Sequence, residues 1–357
     1  MKAILLAGGK GTRLRPLTHT MNKHLMPLAN KAVLFYALEN LVNAGITEIF
    51  VNINKGDESV KDYLKRYYPE LKLHFIEQAS ANGMMYPITI AEKFIGDDDF
   101  VLYAGDNLLL DNLKTYIEKF NKLDCDAMVL VKNVKKLEKF SYYKLKGNKV
   151  VSIEEKPAKL ISNFAGTAIY FYRGKAIFKA LKNVKPVQLS GTKTAEFYPP
   201  LVHQWLIDNG YTLKISEVSG YWCDIGERGK LLKANAEILK RMKLLPSNGN
   251  IHKTRVKGKF HCGTNCEVNG CKIIGPVNIG NNVKINNSVI GPFVSIADNC
   301  VLDKVKVKNS IVLENTSLAN ISREVEDSII GSDVTVGGLK SKDKLQLMVA
   351  AHSQIKV

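Results

Sequence analysis

The sequence predicts an α/β domain on a mostly parallel sheet, followed by a parallel β-helix. Three observations carry that expectation. Residues 1 to about 240 alternate short apolar runs with stretches whose apolar residues recur at helical spacing. From about residue 250 an aliphatic side chain recurs at Ile279, Ile285, Ile290, Ile296 and Leu302, at intervals of six, five, six and six. Between these regions, "LLKANAEILKRMKLLPSNGN" (231–250) reads as a helix running into a Pro/Ser/Gly/Asn linker. The predicted domains are 1–240 and 250–357, and the 357 residues exceed the roughly 100–200 typical of one domain.

The elements follow in order. "KAILLA" (2–7) is an apolar run of strand length, closed by Gly8 and Gly9. "AVLFYALENLVNAG" (32–45) has apolar residues three and four apart and stops at Gly45, which can leave a helix without steric cost. "EIFVNIN" (48–54) reads as a second strand and "ESVKDYLKRYY" (58–68) as a second helix. "LKLHFIEQ" (71–78) is a third strand, and "DFVLYAGDN" (99–107) a fourth that ends in polar residues. Such alternation builds a parallel sheet covered on both faces, in which ligands gather at the carboxyl ends of the strands. The opening glycines and Asp106 both fall at such ends. In the second region Gly280, Gly291 and Ala297 directly follow aliphatic positions, and "IIGSDVTV" (329–336) repeats the phrase. A coil of three strands then takes about eighteen residues. A run of hairpins would instead alternate with period two and show Asn-Gly turns.

Composition narrows the partners. Hydrophobic residues make up 45% and charged ones 24%, the balance of an ordinary globular chain. No apolar stretch reaches the ~18–20 residues of a membrane span, and Met1-Lys2 leads straight into a strand rather than a secretory leader. A cytoplasmic location with no membrane partner is expected. The net charge of +17 would suit a polyanion, but the lysines are interleaved with acids, as in "KLEKF" and "EILKRMK". With no dense basic run and no zinc-finger or RNA-recognition signature, no nucleic-acid partner is expected, and anionic small substrates are served by the same charge. Of the six cysteines, "HCGTNCEVNGC" (261–271) has Cys-x3-Cys-x4-Cys spacing and lacks the Cys-x2-Cys pairs of strong zinc motifs. These thiols read as small residues filling a tightly wound β structure.

The segment "LLAGGKGTRLRPLT" (5–18) sets the chemistry. Glycines after a strand let a phosphate chain lie against backbone NH groups, and an arginine adds a cationic fork. A Walker A loop is excluded, because Gly11 is followed by Thr12-Arg13 and no Gly-Lys-Ser/Thr occurs. A dinucleotide fingerprint is excluded too: the order is Gly8-Gly9-Lys10-Gly11, and the second strand ends in Asn52 and Asn54 with no acid for a ribose. "GGKGTRL" (8–14) instead matches the signature of sugar nucleotidylyltransferases at every position. The opening "MKAILLAGGKGTRLRPLTHTMNKHLMPLANKAVLFYALENLVNAGITEI" resembles glucose-1-phosphate thymidylyltransferases of the long form, which carry a carboxy-terminal left-handed β-helix of hexapeptide repeats. The resemblance continues through "EQ" (77–78), "YAGDN" (103–107), "SIEEKP" (152–157), "YWCDIG" (221–226) and the repeats, and so spans nearly the whole chain.

That resemblance implies a Rossmann-like nucleotidyltransferase domain and an enzyme that joins a nucleoside triphosphate (dTTP or UTP favoured) to a sugar 1-phosphate, releasing pyrophosphate. It implies that Arg13 binds the β and γ phosphates and Lys23 the α-phosphate. Gly8, Gly9, Gly11 and Thr12 would cradle the nucleotide, and Gln78 and Gly83 would meet the base. Asp106 and Asp224 would hold Mg²⁺, Lys156 the phosphate of the sugar, and Glu155 and Glu196 the sugar side. Catalysis of this type is positioning plus charge stabilisation, which suits lysine, arginine and a hard cation. A homo-oligomer through the sheet domain or the β-helix is also implied, since stacked coils offer flat faces.

The pattern departs from the family at named places. Asn22-Lys23 replaces Pro-Lys, Lys31-Ala32 replaces Lys-Pro, and Ala81-Asn82-Gly83-Met84-Met85 replaces Pro-Leu-Gly-Leu-Ala. Phe140-Ser141-Tyr142 stands for Phe-Gly-Val, Thr167-Ala168 for Val-Gly, and "EFYPPL" (196–201) keeps only Glu196 of its family segment. Triphosphate and metal residues are intact while sugar and base contacts have drifted, which predicts a working enzyme with an acceptor other than plain glucose 1-phosphate. Two further readings stand beside it: a catalytically silent nucleotide-binding scaffold, or a bifunctional enzyme whose β-helix transfers acyl groups through His261 or His352.

Overall fold

The structure, a computed structural model, describes residues 1–79, 82–137, 139–147, 149–188, 194–243, 248–338 and 344–356. Four parallel strands form one side of its first sheet, running inward from the edge in the order Leu73–Gln78, Ile49–Asn54, Lys2–Leu6 and Phe100–Ala104. They are strands because they are short and apolar on both sides: Ala3, Ile4 and Leu5 are fully buried, as are Val51 and the run from Phe100 to Tyr103. Phe164–Tyr172 joins Phe100–Ala104 antiparallel and also pairs with Ser141–Lys146 and Ala127–Asn133. Leu213–Glu217 extends Ala127–Asn133 in parallel, and Lys149–Glu155 closes a hairpin with Ser141–Lys146. Among the described strands of this sheet, Phe164–Tyr172 and Lys149–Glu155 run against the others, so the sheet is mostly parallel in direction.

Helix Val33–Asn43 buries Val33, Leu34, Ala37, Leu38 and Leu41, one stripe at helical spacing. Its chain turns at Gly45, whose φ of 85° is left-handed and whose NH reaches Val42 O at 2.9 Å. The run 99–107 is not one strand. It breaks at Gly105-Asp106, and Asn107–Leu109 turns away to pair antiparallel with Trp222–Asp224. The break comes where the apolar pattern yields to Gly-Asp-Asn, and it leaves Asp106 at the carboxyl edge of the sheet.

Packing divides the chain into residues 1–9 with 33–224, and residues 10–32 with 225–357. This differs from the division expected near 240–250. Helix Arg228–Arg241 goes with the second unit, and so does the excursion that follows the opening glycines.

In the second unit, short strands stack parallel into three sheets, beginning with Asn250–His252, Arg255–Lys257 and Phe260–Cys262. Register partners lie about one coil apart, as in Asn250 with Glu267 and Glu267 with Lys284. Ile279, Ile285, Ile290, Ile296 and Leu302 all point into the interior with 1% exposure or less, so the six-residue period is the period of the core. The corners turn through residues at positive φ, many of them asparagine. Asn265, Asn282, Asn299 and Asn315 form a ladder of amide hydrogen bonds, each 3.0–3.3 Å, that continues to Asp333. Cys262, Cys266, Cys271 and Cys300 are free thiols inside this coil, and burial pushes Cys262 and Cys300 up to about 12. His261 and His352 lie on the first and last coils respectively, far apart along the stack.

Candidate active site

Strand ends bring several expected positions together. Ala7 NH bonds to Asn52 O at 2.8 Å, and Gly105 NH to Leu6 O at 2.9 Å, so the opening glycines and the Asp106 turn leave the same edge. Gln78, only 7% exposed, donates from Nε2 to Asn54 Oδ1 at 3.0 Å and to Gly8 O at 3.3 Å. A Cβ at Gly8 would stand 2.4 Å from Gln78 Nε2 and 2.9 Å from Asn52 Oδ1. Glycine is therefore required there to let the amide approach the backbone. Gly9 follows, half-buried, as the last residue of the first unit's opening segment.

Asp106 and Asp224 are brought close in register by the strand pair Asn107–Leu109 and Trp222–Asp224. Asp224 is opposite Asn107 in the antiparallel pair, and Asn107 Nδ2 donates to Asp106 Oδ1 at 3.1 Å. Both carboxylates are half-buried. Trp222, two residues before Asp224, donates from Nε1 to Asn107 Oδ1 at 3.0 Å and to Thr167 O at 3.2 Å. Its ring meets Phe140 edge-on with centroids 5.3 Å apart. One indole thus ties the acidic pair to the segment 140–142. Among the described residues no group of three or more His, Cys, Asp or Glu converges on one point.

The hairpin register sets Glu155 opposite Ser141. Ser141 donates its hydroxyl hydrogen to Glu155 Oε2, while Lys156 Nζ stands 3.3 Å from Oε1. Lys156 has a positive φ of 47° and its NH binds Phe140 O, which turns its side chain off the strand. Its ammonium lies 5.8 Å from the centre of the Tyr198 ring. Tyr198 follows Glu196 and Phe197. Phe197 NH bonds to Asn82 O at 2.8 Å and Met85 NH to Phe197 O at 3.2 Å, and Glu196 pairs by backbone with Val187. Gly83, at φ 96°, is pressed so closely that a Cβ would lie 2.5 Å from Phe197 O. Met85 is wholly buried and packs in the core, and Met84 is half-buried against it. Met85 therefore supports the segment expected to read a base and does not line it. Ala81 lies outside the described residues.

Gly11, Thr12, Arg13 and Lys23 belong to the second unit. Gly11 has φ 60°, and a Cβ on it would sit 2.8 Å from Lys23 Cβ. Thr18 Oγ holds Gly11 O at 2.8 Å. Thr12–Leu14 forms a single tight turn with Thr12 exposed, and Arg13 pairs with Glu227 at 3.0 Å, both side chains about half-exposed. Asn22 caps the turn Lys23–Leu25, accepting from His24 NH and leaving Lys23 at its start. The segment is pinned inside its own unit: Ala29 NH to Asn235 Oδ1 at 2.8 Å, Asn30 Nδ2 to Ile296 O at 2.7 Å, and Asn278 Nδ2 to Ala29 O at 2.8 Å.

The profile of the nucleotidyl transferase family matches residues 2–241, and that of the GMPPB C-terminal domain matches residues 257–348. The chain belongs to the nucleotidyl transferase family. The transferase is 33% identical over 360 residues to a glucose-1-phosphate thymidylyltransferase of Streptomyces griseus, covering 100% of this chain and 99% of that one. It is 32% identical over 367 residues to a low-salt glycan biosynthesis nucleotidyltransferase of Haloferax volcanii, covering 100% of both. A Bacillus anthracis structure assigned as a glucose-1-phosphate thymidylyltransferase, solved with sucrose, is 31% identical; the match covers 69% of this chain and 98% of that one, with a TM-score of 0.61.

Several residues of the transferase touch the expected site positions without having been expected there themselves. Ser141 is expected only as a departure among the sugar contacts, a side chain where the family pattern has glycine, and Tyr198, Trp222 and Glu227 carry no expected role. Trp222 had a signal, as one of two tryptophans and a near neighbour of Asp224. Behind the hairpin lies a buried polar chain without any sequence signal. Tyr143 OH meets His203 Nδ1 at 3.0 Å, and Tyr172 OH meets Nε2 at 2.7 Å. Burial pushes the His203 imidazole down from its ordinary 6.5 to about 3, and raises the hydroxyls of Tyr143, Tyr170 and Tyr172 well above the usual phenol range. His203 is a neutral linker between two phenols.

Proposed function

We propose that this transferase moves a nucleoside monophosphate from a nucleoside triphosphate, dTTP or UTP, to the phosphate of a sugar 1-phosphate. A phosphate oxygen of the sugar attacks the α-phosphorus, the bond from that phosphorus to the bridging oxygen of pyrophosphate breaks, and an NDP-sugar and pyrophosphate result. One observation carries this reading. The Gly8–Gln78 contact, the Asp106 turn with Asp224 beside it, and the Glu155–Lys156 pair all stand beyond the carboxyl ends of the parallel strands Lys2–Leu6 and Phe100–Ala104.

The roles divide by chemistry. Gly8, Gly9, Gly11 and Thr12 offer backbone to the triphosphate, and Gln78 and Gly83 border the base. Arg13 releases Glu227 and takes the departing phosphates, while Lys23 neutralises charge on the α-phosphate. Lys156 orients the sugar phosphate, with Glu155 and Glu196 on the sugar side. Asp106 and Asp224 are two hard carboxylate donors that leave positions for water and phosphate oxygens, the set that suits Mg²⁺. Bound there, Mg²⁺ would offset phosphate charge. A cytoplasmic homo-oligomer completes the proposal.

The test is pyrophosphate release from dTTP, UTP, CTP and GTP against a panel of sugar 1-phosphates. Turnover is expected with at least one pair, and Asp106→Asn should lower kcat by about 10³-fold or more through loss of charge stabilisation. A wild-type protein that binds nucleotide but turns over no pair would refute the enzyme and leave a binding scaffold.

A further inference from the structure

Resting on that reading, we infer that Ser141 is a specificity-determining residue, which with Glu155 presents an acceptor-only pair to the ring of the bound sugar. A serine hydroxyl has one hydrogen, and here it is given to Glu155 Oε2. A carboxylate outbids neutral acceptors for that hydrogen, so Ser141 Oγ has only lone pairs left for any other partner. Glu155 keeps lone pairs on both oxygens while Lys156 Nζ stands 3.3 Å from Oε1. Neither side chain has a hydrogen left to offer.

The pair is built rather than incidental. Ser141 is 9% exposed and the Glu155 side chain 14%, and the hairpin register holds them opposite each other. From behind, a Cβ on Gly166 would lie 3.0 Å from the Tyr143 ring and 3.5 Å from Ser141 O, so the backing is close-packed. Tyr143 is itself held by His203. Shielded acceptors that lose water need a donor in return, and an unmade bond there is costly. The substrate class follows. Sugar 1-phosphates with a free hydroxyl or amine at the position facing this pair are accepted. Those with a deoxy carbon there, or with a carbonyl oxygen turned toward it, are rejected.

The experiment takes the sugar 1-phosphate that the full-length wild type turns over best and removes its ring hydroxyls one at a time. One deoxy analogue should lose roughly 10- to 100-fold in kcat/KM with the wild type. With Ser141→Ala the loss of the same analogue relative to its parent should shrink at least about threefold, the remainder belonging to Glu155, and Ser141→Thr should restore the wild-type ratio. The KM for the nucleoside triphosphate should stay within about twofold in both variants. An equal loss across parent and analogues in Ser141→Ala, or an unchanged ratio, overturns the role of Ser141 while leaving the transferase reading intact. A wild type without turnover on any pair overturns the transferase reading itself.

Discussion

The neutral His203 makes the sheet unit sensitive to acid. Both ring nitrogens are held by phenols, and burial lowers the imidazole from 6.5 to about 3. Between those two values the unfolded chain binds a proton that the folded chain does not. Stability therefore falls as pH falls through that window, by about 1.4 kcal/mol per pH unit well below 6.5. Going from pH 7 to pH 5 should remove about 2 kcal/mol by this route. The assay is urea unfolding followed by tryptophan fluorescence, which suits the question because Trp205 and Trp222, the chain's two tryptophans, both lie in the sheet unit. His203→Gln keeps hydrogen-bonding capacity at the site and cannot titrate. The variant should start less stable, yet lose about 2 kcal/mol less than the wild type between the two pH values. Parallel losses in the two proteins would show that His203 is not the titrating group.

Two other perturbations follow from close approaches. Gly83→Ala places a Cβ 2.5 Å from the Phe197 backbone at φ 96° and should cost roughly 2–4 kcal/mol, read as a lowered urea midpoint. Asn235→Ala removes the acceptor shared by Ala29 NH and Ser295 Oγ in a fully buried place, and should cost about 1–3 kcal/mol of stability. It should also raise the KM for the nucleoside triphosphate, because the freed segment carries Arg13 and Lys23. An unchanged KM alongside reduced stability would separate the anchor from the site.

Legibility in the sequence followed the range of the interaction. The glycine loop, the strand ends at Gln78 and Asp106 and the β-helix core positions depend on local pattern: apolar runs, a break at Gly-Asp-Asn and a six-residue period. Each was visible because neighbouring residues decide it. The Ser141–Glu155 pair depends on hairpin register, and the Tyr143–His203–Tyr172 chain joins a strand pair to the helix Pro199–Asp208. No short-range pattern encodes either. Met85 illustrates the same limit from the other side: it falls in the stretch expected to face a base, and its burial in the core has no signal in the sequence. The placement of residues 10–32 was hidden for the plainest reason, since Ala29 and Asn30 bond to residues 206, 249 and 266 positions further along.

Those long separations bear on the order in which a ribosome delivers the chain. The sheet strands can pair once residue 224 has emerged, but the segment that begins at Lys10 must wait for its anchors. Asn235 arrives shortly afterwards, Asn278 and Ile296 only when the coils are being laid down. An early segment of the chain is thus among the last to settle, and a nascent chain halted before Asn278 holds its glycine loop and its arginine without the frame that places them. Under the roles proposed for Arg13 and Lys23, triphosphate binding is timed by synthesis of the β-helix.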